Sequence, residues 1–294
     1  MKNLFHLSEA WQASSCTLPD AYAWRYLIME EKHSSRLKQT RVCFARCFRA
    51  FVNDKGWKIL ISVVLITLII CSVTGANMFV TFWDTKNGAF TLVCACIWIG
   101  LFNSIRTICR ERDILKHDHR TGLHMSAYLT AHWLYEACLC FVEAIPVTLI
   151  VCLINRSHFI KEGVITSPVI ELFVTFFLIL LGSDALALLI SSLVTNENTA
   201  MTVMPFALII ELVMAGHIFA LEGAAETFSK TTISRWGLNA ICASANVNAM
   251  TPLLAAEEVE STPENLRFIW LLLLGFAILY GILSIIALEF IDHY

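Results

Sequence analysis

Charge is scarce in this sequence. Only 15% of its 294 residues are Asp, Glu, Lys or Arg, where a soluble globular domain carries roughly 25%. The net charge of -3 says little about partners, and no nucleic acid is expected among them. The dipeptide Gly-Lys is absent, and with it Gly-x-x-x-x-Gly-Lys-Ser/Thr, so these residues do not hydrolyse ATP by the P-loop route. Gly-x-Ser-x-Gly and His-Glu-x-x-His are absent too, which removes the commonest hydrolase and zinc-protease signatures. Eleven cysteines occur without a single Cys-x-x-Cys, so neither a zinc ribbon nor a redox pair is indicated. Cys71, Cys94, Cys96, Cys138, Cys140 and Cys152 sit in apolar runs, where a thiol behaves as a small hydrophobe. Cys242 falls elsewhere, and an intersubunit bridge is its alternative to packing. No signal-peptide pattern is visible in residues 1–36.

Apolar residues are abundant, at 57%, and they come in runs. Six segments, approximately 57–79, 89–108, 127–154, 169–194, 199–221 and 266–291, each meet the length of about 20 residues that a helix needs to cross the hydrocarbon. Lipid-facing backbone must satisfy its own hydrogen bonds, so these segments are expected to be helices. The expected fold is therefore an all-α membrane protein with six transmembrane helices. If the N-terminus is cytosolic, the N-terminal flank and the loop after the second span hold 15 of the 21 basic residues, as the positive-inside rule requires. The tail Asp292-His293-Tyr294 then returns to the cytosol.

Residues 1–39 form a cytosolic N-terminal segment in this reading, and 40–294 the membrane domain. Leu18-Pro19-Asp20 suits a helix start, and Trp11, Trp24 and Tyr26 suit packing on a partner or on the membrane surface. Over 40–58, Phe44, Phe48, Phe51 and Val52 share one helical face and Arg46, Arg49 and Asn53 the other, the pattern of an interfacial helix. The loop 111–122 is strongly charged and ends at Gly122; Asp113 has helical spacing to Lys116 and His117. On the opposite side 222–265 is long for a connector, and 233–242 is apolar enough to lie on or dip into the outer leaflet.

Ionisable residues inside the spans need an explanation, since a mid-membrane charge costs about 3 kcal/mol on insertion scales. His132, Glu136 and Glu143 fall on one face of the third span, and Asp184, Glu211 and His217 lie in or near later ones. His132 with Glu136 alone is short of the three protein ligands that metal sites use, so no metal is expected. Glu136, Glu143 and Asp184 could instead relay protons in an ion-driven transporter. Pro146 and Pro205 should kink the third and fifth spans.

The motif order resembles the type-2 ABC exporter permeases of the White (ABCG) branch, from about Gln39 to the C-terminus. It rests on Asn103-Ser104-Ile105-Arg106, Arg110-Glu111-Arg112, the charged stretch to Gly122, and Ser126-Ala127-Tyr128. Leu189-Ile190-Ser191-Ser192-Leu193-Val194 and Ile233-Ser234-Arg235-Trp236-Gly237-Leu238-Asn239-Ala240 add to it. The resemblance implies an N-terminal connecting helix around Phe44–Val52, and a coupling helix through Glu111, Arg112, Lys116, His117 and Arg120 seated on an ATPase. It implies an outer re-entrant segment with Arg235 and Trp236. Two permease copies, identical or paralogous, would enclose a cavity between spans two and five, for which Ile99, Phe102, Leu208 and Met214 are lining candidates. ATP and Mg would be bound by a separate P-loop ABC ATPase subunit, and this chain would bind no cofactor and catalyse nothing itself. A bacterial inner-membrane location and export of a lipid, peptide or hydrophobic compound are further implications. The outer motif departs from the family pattern in carrying Asn239 where Glu is frequent and in lacking Pro before Arg235. Reversing Glu111 or Arg112 is expected to uncouple transport while leaving insertion intact; normal transport in both variants would contradict the coupling role.

Overall fold

The computed structural model describes residues 35–254 and 256–289. Trp11, Pro19, Trp24, Tyr26 and the tail from 291 lie outside the described residues. Every long element is a helix, and no strand occurs among the described residues. In chain order they are α1 (Arg36–Asn53), α2 (Trp57–Thr74), α3 (Phe82–Ser104), α4 (Thr107–Arg110), α5 (Arg112–Arg120), α6 (Met125–Ile154), α7 (Pro168–Leu193), α8 (Glu197–Met214), α9 (Ala224–Ser229), α10 (Ile233–Ser244), α11 (Val247–Met250) and α12 (Pro263–Glu289). Six helical stretches are long and apolar enough to cross a bilayer: α2, α3 continued through α4, α6, α7, α8 and α12.

The span boundaries shift from expectation for identifiable reasons. The first helix stops at Gly75, whose φ of 73° no β-carbon-bearing residue adopts readily. The second begins seven residues before the apolar run, because Thr81 and Asp84 cap it. The Thr81 hydroxyl accepts from the Asp84 amide (3.2 Å) and donates to the Asp84 carboxylate (2.7 Å), a capping pair that satisfies an orphan first-turn donor. Ser167 with Pro168 at the first turn starts α7, and the Asn196 side chain, accepting from the Thr199 amide at 2.9 Å, starts α8. Pro146 and Pro205 both lie within helices, α6 and α8.

α7 is the hub, packing against α3, α6, α10 and α12. Lipid tails are as apolar as leucine, so helices in a membrane associate through close packing and hydrogen bonds more than through water exclusion. The α3–α7 contact shows both. A β-carbon at Gly100 would come 2.8 Å from the Leu180 carbonyl oxygen and 2.8 Å from Ser183 Cβ. One turn on, the Ser104 hydroxyl donates to the Asp184 carboxyl at 2.5 Å. Gly100 and Ser104 thus form a small-xxx-small pair that admits α7 nearly to backbone contact. Burial follows this hierarchy: 67% of the most apolar window of α3 and of α7 is buried, against 17% for α2 and 22% for α8.

Gly100→Val is expected to force α3 and α7 apart and to destabilise the protein by about 1–3 kcal/mol, the usual cost of overpacking. Thermal unfolding of purified protein in detergent checks this, with Gly275→Val as control because nothing lies within 4 Å of a β-carbon built at Gly275.

Candidate functional site

At the α4–α5 end of the bundle, a short amphipathic helix is bolted to three neighbours. α3 breaks after Ser104 and restarts as α4. The exposed amides of that restart need acceptors, and Ser191 Oγ near the end of α7 accepts from the Ile108 and Cys109 amides, each at 3.1 Å. The last carbonyls of α7 are orphans in turn. The Arg112 guanidinium, only 7% exposed, donates to the Ser192 carbonyl (3.3 Å) and the Val194 carbonyl (2.7 Å). A cation at a helix C-terminus also complements its dipole.

Glu111 ties this end to α1 and α6. Its carboxylate accepts from Arg46 at 2.6 Å and from the Tyr128 hydroxyl at 3.0 Å. Arg46 also lies 5.9 Å from the centre of the Tyr128 ring, and 4.0 Å from the Asp118 carboxylate. The far end of α5 is held by Gln39 of α1, which donates to the Gly122 carbonyl and accepts from the His124 amide, both at 3.0 Å. Leu115, 2% exposed, fills a cluster with Cys43, Ile108, Tyr128 and Leu188. Asp113, Ile114 and His117 remain outward; Ile114 is 58% exposed.

The residues named from sequence around α5 therefore divide by task. Glu111 and Arg112 face the protein itself, whereas His117 and Arg120 are exposed and Lys116 is half-buried. α1 packs on the bundle through Cys43 and Cys47, while Phe48 and Val52 of the apolar face read from the sequence are exposed. Arg46 turns from the expected polar side toward Glu111. The two cysteines, spaced i and i+4, were the overlooked signal. Burial pushes the Cys47 thiol up to about 12 and raises that of Cys43, so both serve as packing groups.

Inside the bundle, Asn103 donates to both Glu143 oxygens (3.0 and 2.9 Å). His132 packs on the Tyr128 ring, with centroids 4.4 Å apart, and lies 3.6 Å from Cys47 Sγ. Glu136 is buried beyond them, and its Oε2 and the Oδ2 of Asp184 have no hydrogen-bond partner. Among the described residues no three His, Cys, Asp or Glu side chains assemble as a metal site. Ile99 and Phe102 border a groove of about 280 Å³ between α2 and α3. Leu208 is buried in the core and Met214 ends α8 half-buried.

At the opposite end, α10 is buried on nearly every side, against α3, α7 and α12. Cys242 is 2% exposed and so is packed within the chain. Glu211 accepts from the Ser234 amide at 2.9 Å. Arg235 makes a bidentate pair with Glu258 (Nη2 to Oε1 at 2.7 Å and Nε to Oε2 at 3.1 Å) and Trp236 donates to the Lys230 carbonyl at 2.8 Å. Asn239 donates to the same Glu258 at 3.1 Å. A glutamate at 239 would set two carboxylates against one guanidinium.

The sequence model of the ABC-2 type transporter family matches residues 38–244, from α1 through α10. The chain belongs to this family. It is a multi-pass membrane protein and a membrane component of an ABC transporter. Similarity extends to the ABC transporter ATP-binding/permease protein Rv1747 of Mycobacterium tuberculosis (strain ATCC 25618 / H37Rv), 25% identical over 232 residues. That alignment covers 75% of this chain and 27% of the relative, so the chain spans about a quarter of the length of the curated relative it matches.

Arg112→Gln is expected to cost about 1–3 kcal/mol, because it strips a buried donor from two helix-end carbonyls. Glu111→Gln should cost less, about 0.2–1 kcal/mol, since Arg46 and Glu111 are 44% and 35% exposed and solvent screens the pair. Chemical unfolding of the two variants and of Arg46→Gln/Glu111→Gln checks both the ranking and the coupling.

Proposed function

We propose that the chain is the permease half of an ATP-driven exporter that moves a lipid, peptide or hydrophobic compound by alternating access. The observation that carries this is the construction of α5. It is clamped to α1, α6 and α7 by Glu111, Arg112 and Leu115, yet offers Asp113, Ile114 and His117 outward. A helix held in this way transmits force to three bundle helices at once when something grips its free face. The grip belongs to a P-loop ATPase carried on another subunit, which binds the ATP and Mg. The relative's name, which joins ATP-binding to permease, supports the pairing.

In this reading two permease copies face each other across α3 and α8, with the exposed Phe102 and the half-buried Met214 toward the cargo path and Ile99 and Leu208 packed behind them. α5 is on the cytosolic side, both termini are cytosolic, the membrane is the bacterial inner membrane, and α10 with Arg235 and Trp236 is the re-entrant segment on the outside. ATP binding draws the ATPases together and shifts a two-state bundle toward the outward-facing arrangement. Glu111 and Arg112 act as internal rivets. Reversal of Arg112 would set a buried acid against two carbonyls, so it disturbs the fold as well as coupling.

A second reading has the buried oxygens of Glu136 and Asp184 in its favour: ion-driven transport relayed through Glu136, Glu143 and Asp184. It requires transport to follow a proton gradient without ATP.

Tagged in its own cell and gently extracted, the protein should retain a stoichiometric P-loop ATPase and hydrolyse ATP. Ile114→Glu should remove that ATPase while thermal unfolding of the permease stays unchanged. A homogeneous preparation with no ATPase, or Ile114→Glu retaining it fully, would overturn the assignment.

A further inference from the structure

At the end of the bundle remote from α5, a cavity of about 250 Å³ opens between the start of α3, α10 and the segment that leads into α12. Phe82, Leu238, Val247 and Val259 give it an apolar wall. Its charges are mostly neutralised from within. Glu226 pairs with Lys230 at 3.3 Å, and Glu258 with Arg235 at 2.7 Å. Burial alone would raise the Glu258 carboxyl, but its hydrogen bonds and attraction to Arg235, with help from Asn239, outweigh that and hold it below its ordinary value, so it stays ionised and keeps Arg235 occupied at neutral pH. Asn248 is spent on the backbone of Ala256, donating to its carbonyl at 2.9 Å and accepting from its amide at 3.3 Å.

Lys86 is the exception. It lines the cavity half-buried, its ammonium 5.6 Å from the Phe82 ring centre, and it has no carboxylate within ion-pair distance among the described residues. It stands one turn into α3, where the helix dipole adds positive potential. His217, next in sequence to the lining residue Gly216, supplies no second cation. Burial first, and the charge of Lys86 second, hold its imidazole below the ordinary value, and its Nε2 is engaged with Asn87 at 2.8 Å. The cavity therefore presents one uncompensated ammonium beside an apolar wall.

We infer that this cavity binds a small amphipathic anion, its carboxylate or phosphate paired with Lys86 and its hydrocarbon part laid against Phe82, Leu238 and Val259. The volume suits a single chain of a few carbons or an acidic lipid headgroup with its first methylenes. A charge-assisted hydrogen bond orients the acid, and the apolar wall excludes simple hydrated anions. The site is separate from α5 and from the ATPase, so its occupancy can be measured on the permease alone, and the outcome does not bear on the permease assignment.

The test uses the full chain in lipid nanodiscs with octanoate as probe and octyltrimethylammonium as its cationic counterpart, titrated calorimetrically. Octanoate should bind at least about tenfold more tightly than the cation, and Lys86→Met should lower octanoate affinity by about tenfold or more, the scale of one lost charge-assisted contact. Lys86→Arg should stay near wild type. Val259→Trp, which narrows the cavity but keeps Lys86, provides a second variant and should also weaken octanoate binding. Two disc compositions locate the natural source. Octanoate displaced when phosphatidylglycerol replaces part of the phosphatidylcholine assigns the cavity to a lipid headgroup, and octanoate unaffected assigns it to a free anion. Equal affinity of wild type and Lys86→Met for octanoate, or equal binding of the cation, would overturn the inference.

Discussion

The end of α7 is the constraint on which the rest of this molecule depends. A helix that stops near the membrane boundary leaves carbonyls with no intrahelical partner, and water is poorly placed to serve groups packed under another helix. Here the donor is a guanidinium reached from α5, with Arg112 on the Ser192 and Val194 carbonyls. The reverse debt, the free amides where α4 begins, is met by Ser191 of the same α7 end. Each element completes the other's backbone. Sliding one against the other by a fraction of a turn would strand four polar groups at once, so α5 follows α7 wherever α7 goes.

The same logic of mutual completion recurs through the bundle in milder form. Ser104 answers Asp184, Asn103 answers Glu143, Ser234 answers Glu211, and Trp270 donates to Thr175 at 3.0 Å. In each case a polar group that would be costly against lipid is matched across a helix–helix seam. These pairs fix rotation about the helix axis, which apolar packing alone specifies poorly. They also explain why the ionisable residues of the spans face inward and not toward the lipid.

Much of this was legible in the sequence. Length and hydropathy located six helices, because a bilayer leaves few alternatives. The stretches around Asn103, Glu111, Tyr128 and Ser191 stood out by order and spacing, and all four prove to be hydrogen-bonding partners in the bundle. The partnerships themselves were not legible. Arg46 meets Glu111 across 65 positions and Arg112 meets Val194 across 82, and no local pattern encodes which of several arginines closes which contact. Helix ends were misjudged where chemistry overrode hydropathy: Thr81 with Asp84 starts a helix inside a polar stretch, and Gly75 stops one inside an apolar stretch. The apolar face of α1 was legible in its phenylalanines, whereas the seam by which it packs on the bundle was not, because Cys43 and Cys47 are small side chains with no pattern of their own.

The near-contact of α3 and α7 at Gly100 has a mechanical consequence. Two helices whose backbones touch, and which share a hydrogen bond one turn away, bend as a laminate, with a stiffness far above that of either alone. α10 and α12 are glued to the same block through α7. α2 and α8 have little buried surface to hold them. These two members border the block as shutters border a frame, and the faces they leave bare are open to lipid or to a second copy. The groove between α2 and α3, bordered by Ile99 and Phe102, marks one edge of that block.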